Sequence, residues 1–138
     1  MHPVPILWEV RCDLEAEGSA WESAPDVVRE ARRFSEVGGF LALPAFADRL
    51  EGRAALAAGR TEEPVSLLRR AIDRFAEIGA RWERACTDLT MATAQLQADD
   101  RQEASASLDR AVPILEDLSS LRELKWARAL ASELVESS

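Results

Sequence analysis

An all-α solenoid, a row of antiparallel helical hairpins, is the fold class this sequence predicts, on three observations. Residues 44–80 hold two amphipathic helical stretches separated only by Gly59-Arg60-Thr61, and a connection this short makes the two helices antiparallel neighbours. Sliding the chain by 40 lays Leu68, Arg70, Ala71, Ile72, Phe75 and Ile78 on Leu108, Arg110, Ala111, Val112, Leu115 and Leu118. Sliding it back by 41 lays Gly59, Arg70, Phe75, Ile78 and Gly79 on Gly18, Arg29, Phe34, Val37 and Gly38. Self-similarity at such a period marks stacked supersecondary units rather than one closed core. About seven helices follow, as hairpins over about 5–38, 44–79 and 81–118 and a capping helix over about 120–136.

The first hairpin pairs a helix near Pro5–Glu17 with one near Ser23–Val37. Both Ser19–Glu22 and Ser23–Asp26 resemble capping boxes. The later start is favoured because the earlier one places Pro25 inside the helix. In the second hairpin Phe46, Ala47, Leu50, Ala54 and Ala57 form one apolar stripe, with Asp48, Arg49, Glu51 and Arg53 mostly on the other side, facing water. Val65, Leu68, Ala71, Ile72, Phe75 and Ile78 form the facing stripe. Gly59 can end the first helix in the left-handed conformation, Thr61 can cap the second, and Pro64 falls in a first turn that needs no amide donor.

The third hairpin sets Trp82, Ala85, Cys86, Leu89, Ala92 and Leu96 against Ala104, Leu108, Ala111, Leu115 and Leu118, with Asp99-Asp100 as turn and cap. Pro113 sits deep inside its second helix, where it removes a hydrogen bond and clashes one turn back, so a kink is expected there. The last helix has no partner in this chain. Its Trp126-Ala-Arg-Ala129 is similar to Trp82-Glu-Arg-Ala85 at a spacing of 44, so it reads as the first helix of a fourth unit, lengthened by about one turn. It either caps the stack or is covered by a following helix in a longer protein.

With 138 residues, 47% of them apolar and 30% charged, the chain suits one globular domain with a core that needs no staples. No apolar run is long enough for a membrane span, and the start lacks the basic flank and apolar run of an export signal, so a cytoplasmic location is expected. Cys12 and Cys86, in different helices and in no paired motif, fit a reducing compartment. A net charge of −8 with arginines interspersed among carboxylates argues against direct binding to nucleic acid.

Gly52, Gly59, Pro64, Leu68 and Ala71, and in the next unit Ala92, Asp99, Ala104, Leu108 and Ala111, stand at the spacing of a tetratricopeptide-type repeat, which the chain resembles. It departs from that pattern in its longer units, related by offsets of 40 and 41, in Asp48 at a usual aromatic position, and in lacking a closing proline. The run Phe75–Ala85, followed by Leu89 and Ala92, further resembles the repeat region of large bacterial signalling proteins, including LuxR-type regulators and ATPases that carry adenylate cyclase domains. That likeness, over about Leu43–Leu134, implies a right-handed superhelix that is a piece of a larger signalling or transcription-regulatory protein. No phosphate loop, cyclase signature or helix-turn-helix is visible, so none of those activities is carried over.

His2 is the sole histidine, which excludes histidine pairs for acid/base work and histidine-rich metal sites by count. Cys86 has no nameable activating base, and Glu62-Glu63 and Asp99-Asp100 stand at helix starts where negative charge suits the dipole. The chain is therefore not expected to be an enzyme or to carry a cofactor or metal. Trp8, Trp82 and Trp126 lie on first-of-pair helices, which by resemblance line the concave face, where they either grip a partner's apolar side chains or fill space between hairpins. Arg49 and Arg53, at i, i+4, either hold a partner's carboxylate or form a solvated charged face with Asp48 and Glu51. The expected function is a non-catalytic scaffold that binds a protein or peptide partner, or other domains of its parent chain. The alternative is a small-molecule sensor with an apolar pocket lined by Trp82, Cys86 and Met91. The uncovered last helix adds homodimerisation as a further expectation.

Overall fold

The structure, a computed structural model, describes residues 25–29, 32 and 42–136. Residues 25–29 are helical, and five full helices follow: α1 (Leu43–Ala57), α2 (Glu62–Glu77), α3 (Arg81–Gln97), α4 (Arg101–Asp117) and α5 (Leu121–Glu136). No strand occurs among the described residues. The second and third hairpins and the last helix fall where the periodicity predicts. The expected helix near Pro5–Glu17, most of the one near Ser23–Val37, and Trp8 lie outside the described residues.

Four left-handed residues set the cadence. Gly59, Gly79, Asp99 and Ser119 have φ of 82, 71, 60 and 53°, and each ends a helix, at an even spacing along the chain. At every one of these turns the same two bonds close the helix. The left-handed residue's N–H donates three residues back, and the next residue's N–H donates five back, as in Arg60 N to Ala55 O at 3.1 Å and Ser120 N to Leu115 O at 2.9 Å. This is the Schellman geometry, which satisfies the carbonyls that a helix end leaves open. Thr61 makes no side-chain capping bond, contrary to expectation, and its backbone is in the right-handed helical region (φ −113°, ψ −45°) rather than the extended one usual for a capping residue. Asp100 does cap α4, accepting from Glu103 N at 3.3 Å.

Each helix packs on its sequence neighbours, and α1 with α3 and α3 with α5 also touch; no other pair of these helices packs. The array is therefore open rather than closed round one interior. Its core is distributed in three parts: Val27, Leu43, Phe46, Leu50, Ala71 and Phe75 at the first described end; Leu68, Ile72, Met91 and Ala94 between α2 and α3; Leu89, Ala92, Leu108, Ala111, Leu115, Ala127 and Leu130 across α3, α4 and α5. Burying each large side chain contributes about 2 kcal/mol. Close approach of α1 to α2 depends on Gly52, where a Cβ would lie 2.9 Å from Leu68 Cγ.

Two expectations need correction. Asp48 and Arg49 do not face water: they are 0% and 6% exposed, because charged partners from neighbouring helices meet them inside the stack. Pro113 lies inside α4, as its position predicts, and the helix runs unbroken from Arg101 to Asp117. Pro113 and Asp109 are exposed, so the carbonyl that the proline leaves unpaired stands on the water side. Finally, α5 is not lengthened at its start. It begins at Leu121 as α3 begins at Arg81, which makes Arg122 the counterpart of Trp82 and puts Trp126 one turn further along.

Candidate functional site: a cleft across α1, α3 and α5

The first-of-pair helices present one face together, and the side chains on it converge on a cleft of about 320 Å³. Arg49 and Arg53 enter from α1, Trp82, Glu83, Cys86 and Thr90 from α3, and Arg122, Glu123 and Trp126 from α5. The cleft is contiguous, through Arg53, Thr90 and Trp126, with a second hollow of about 230 Å³ that reaches Leu56, Thr93 and Gln97. The result is a groove along α3, with α1 and α5 as its walls.

Arg49 anchors one wall. Its guanidinium carbon lies 4.9 Å from the Phe46 ring centre and 5.2 Å from that of Phe75, and those two rings meet edge to face at 5.2 Å and 88°. Its Nη1 donates to Glu83 Oε2 at 2.6 Å. The side chain is 7% exposed. A desolvated cation between two aromatic rings with a carboxylate in reach is far more costly to break than a surface pair, and it ties α1 to both α2 and α3. Arg49 thus shapes the cleft from within, while Arg53, one turn on, is half-buried at its lip.

The tryptophans mark the other side. Trp82 donates its indole N–H to Ser120 Oγ at 3.0 Å, and that hydroxyl donates to Glu123 Oε2 at 2.8 Å, so the start of α3 is tied to the start of α5. With their polar edge or helix position so fixed, Trp82 and Trp126 still leave 43% and 37% of their surfaces exposed. Of the residues singled out in the sequence, Arg49, Arg53, Trp82 and Trp126 are therefore brought to one place. Met91 is not: it is fully buried between α2 and α3, away from the cleft. Cys86, expected as a packing residue, is only partly buried and lines the cleft.

A second feature escapes the apolar pattern. Asp48 and Asp88, both 0% exposed, occupy equivalent places on α1 and α3, and each meets an arginine at an equivalent place on the next helix, Arg70 on α2 and Arg110 on α4. Asp48 Oδ1 accepts from Arg32 at 2.5 Å and lies 3.4 Å from Arg70 Nη2, and its Oδ2 is 3.0 Å from Arg74 Nε without hydrogen-bond alignment. Asp88 Oδ1 lies 3.6 Å from Arg110 Nε, and neither of its oxygens accepts a hydrogen bond. Burial pushes the Asp88 carboxyl up from its ordinary pKa of 3.8, against the opposing pull of Arg110, Arg84 and Arg69. Burial also opposes the charge on Arg32, but its bonds to Glu51 and Asp48 and their negative charge outweigh that and hold it above its ordinary value. The offset of 40 that matches Arg70 with Arg110 also matches these two aspartates, which is the signal the sequence offers.

Among the described residues no group of three or more histidine, cysteine or acidic side chains is placed to hold a metal ion, and no helix is long and apolar enough to cross a membrane. The chain matches no family model, no curated protein and no solved structure.

Proposed function

We propose that the protein is a non-catalytic scaffold that takes a segment of a protein partner, or of its own parent chain, into the groove between α1 and α5. The observation that carries this reading is the convergence of Arg53, Trp82 and Trp126 on one cleft lined by three successive first-of-pair helices. Aromatic and arginine side chains are the usual anchors of binding energy in protein interfaces. The resemblance of the repeats to tetratricopeptide-type units, and to the repeat regions of bacterial signalling and transcription-regulating proteins, supports the same class and suggests an intracellular signalling setting.

A displayed library of short peptides, panned on the intact chain, tests the proposal. Enrichment of a common motif, with binding of the selected peptide weakened at least tenfold by Trp126→Ala or Arg53→Ala, is the expected result. Absence of any enriched motif, or a motif indifferent to both substitutions, rejects it. A small-molecule sensor is the second reading, and the partly buried Cys86 beside Trp82 is what favours it. A volume near the lower end of ligand pockets and a wall with five charged side chains, Arg49, Arg53, Glu83, Arg122 and Glu123, weigh against an apolar effector. Thermal shift with a metabolite panel separates the two, because a pure scaffold gains no stability from small molecules.

A further inference from the structure

Helix α5 carries its charges the wrong way round for a helix standing alone. Arg122, Lys125 and Arg128 occupy its first half, Glu133 and Glu136 its last turn, and no basic residue stands in that last turn. The helix dipole favours the reverse, acidic side chains first and basic ones last, by some tenths of a kcal/mol each. The chain follows that rule in α2, with Glu62 and Glu63 in the first turn and Arg74 in the last. Glu123 is the one acid early in α5, and it is half-buried and bound to Ser120 Oγ rather than turned outward.

The outward face of the same helix is self-matching. At 3.6 residues per turn, Leu121, Lys125, Arg128, Ser132 and Val135 form a stripe opposite the inward Ala127, Leu130 and Leu134. All five are exposed, and Leu121 at 75% and Val135 at 73% are the two most exposed of the large apolar side chains among the described residues. They stand at opposite ends of the stripe. Reversing the helix about its middle lays Leu121 on Val135 and the basic half on the acidic half.

We propose that two copies of the chain pair through α5, antiparallel across a two-fold axis that passes near Arg128 and Ala129. In that arrangement Leu121 of each copy meets Val135 of the other, Lys125 comes opposite Glu133 with Glu136 beyond it, and small Ala129 and Ser132 allow the helices to approach. The charge order that an isolated helix disfavours becomes the attraction between copies. Arg128 stands nearest the axis and meets its own counterpart, the one like-charge approach. One helix of 16 residues on each side is also a small interface, so the dimer is a weak one, with dissociation in the micromolar range or above.

Sedimentation equilibrium of the whole chain from about 1 to about 500 µM covers that range. The expected result is a reversible monomer–dimer equilibrium that weakens as salt is raised. Two double variants, Lys125→Glu with Arg128→Glu and Glu133→Lys with Glu136→Lys, are expected each to weaken self-association at least tenfold. Mixed in equal amounts, they are expected to restore a dimer of about the parent's affinity. Circular dichroism on each variant checks that the helices persist, since every substituted side chain is exposed. A parent that stays monomeric throughout, a dimer that ignores both variants and salt, or a mixture that fails to pair each overturns the proposal, and the first outcome leaves the face to a different partner.

Discussion

At the scale of single residues, the buried charges decide most. Truncating Arg49 to alanine removes a cation held between Phe46 and Phe75 and leaves Glu83, 21% exposed, without its partner. The expected loss is about 2–3 kcal/mol in urea denaturation, while Arg49→Met, which refills the space between the rings, is expected to cost roughly half of that. Asp88 is a different case. Its carboxyl titrates higher in the folded chain than the ordinary 3.8, so folding takes up a proton as pH falls through the raised value, and this group favours the folded state most at low pH. Its contribution declines as pH rises through the folded value. Asp88→Asn removes that decline, so the Tm difference between variant and parent is expected to move in the variant's favour as pH goes from about 4 to about 7. Thermal melts at several pH values check it; a difference that is flat or moves the other way refutes it.

None of these burials is legible from apolar periodicity, which assigns every charged side chain to the water face. Arg49 is the clearest instance. Its partner Glu83 lies 34 residues away on another hairpin, and only the meeting of Phe46 and Phe75 creates a place for the guanidinium. Asp48 and Asp88 are readable in principle, through the offset that pairs Arg70 with Arg110. The cleft itself is partly visible in the sequence, since Arg49, Arg53, Trp82 and Trp126 all stand on first-of-pair helices. Cys86 and Met91 are not sorted by the sequence alone: Cys86 stands at the edge of the α3 stripe and Met91 well off it, and only the packing of that helix against its neighbours opens the first to the cleft and buries the second against α2.

At the scale of elements, the helices stand out because each stripe is long and each turn is short, and boundaries follow from Gly59 and Gly79. Asp99 and Ser119 do the same work without the freedom of glycine. An L-residue in the left-handed region carries a penalty of about 1–2 kcal/mol. Ser119, at φ 53°, is therefore expected to gain about 0.5–1 kcal/mol on replacement by glycine, whereas Gly79→Ala, at φ 71°, is expected to lose about as much. Chemical denaturation of the two variants measures both. Pro113 stands on the wet side of α4, which runs through it unbroken.

At the scale of the whole molecule, stability among the described residues is shared by three successive cores, and α5 contributes only Ala127 and Leu130 as buried side chains. Such arrays open from their weaker end. In hydrogen exchange at a concentration low enough to keep the chain monomeric, α5 amides are expected to exchange at least tenfold faster than those of α3. Equal protection would mean that the array unfolds as one block.

The regular recurrence of the left-handed turns has a last consequence, which concerns parity. Because odd and even helices play different parts, with α1, α3 and α5 walling the groove, the chain can tolerate insertion or excision in whole pairs. A change of one helix would exchange first-of-pair for second-of-pair places along everything downstream, carrying Asp88 to the apolar, buried kind of place that Leu68 and Leu108 hold and the tryptophans away from the groove. Insertion or removal of a whole pair is therefore the change of length that keeps every remaining side chain in its kind of place.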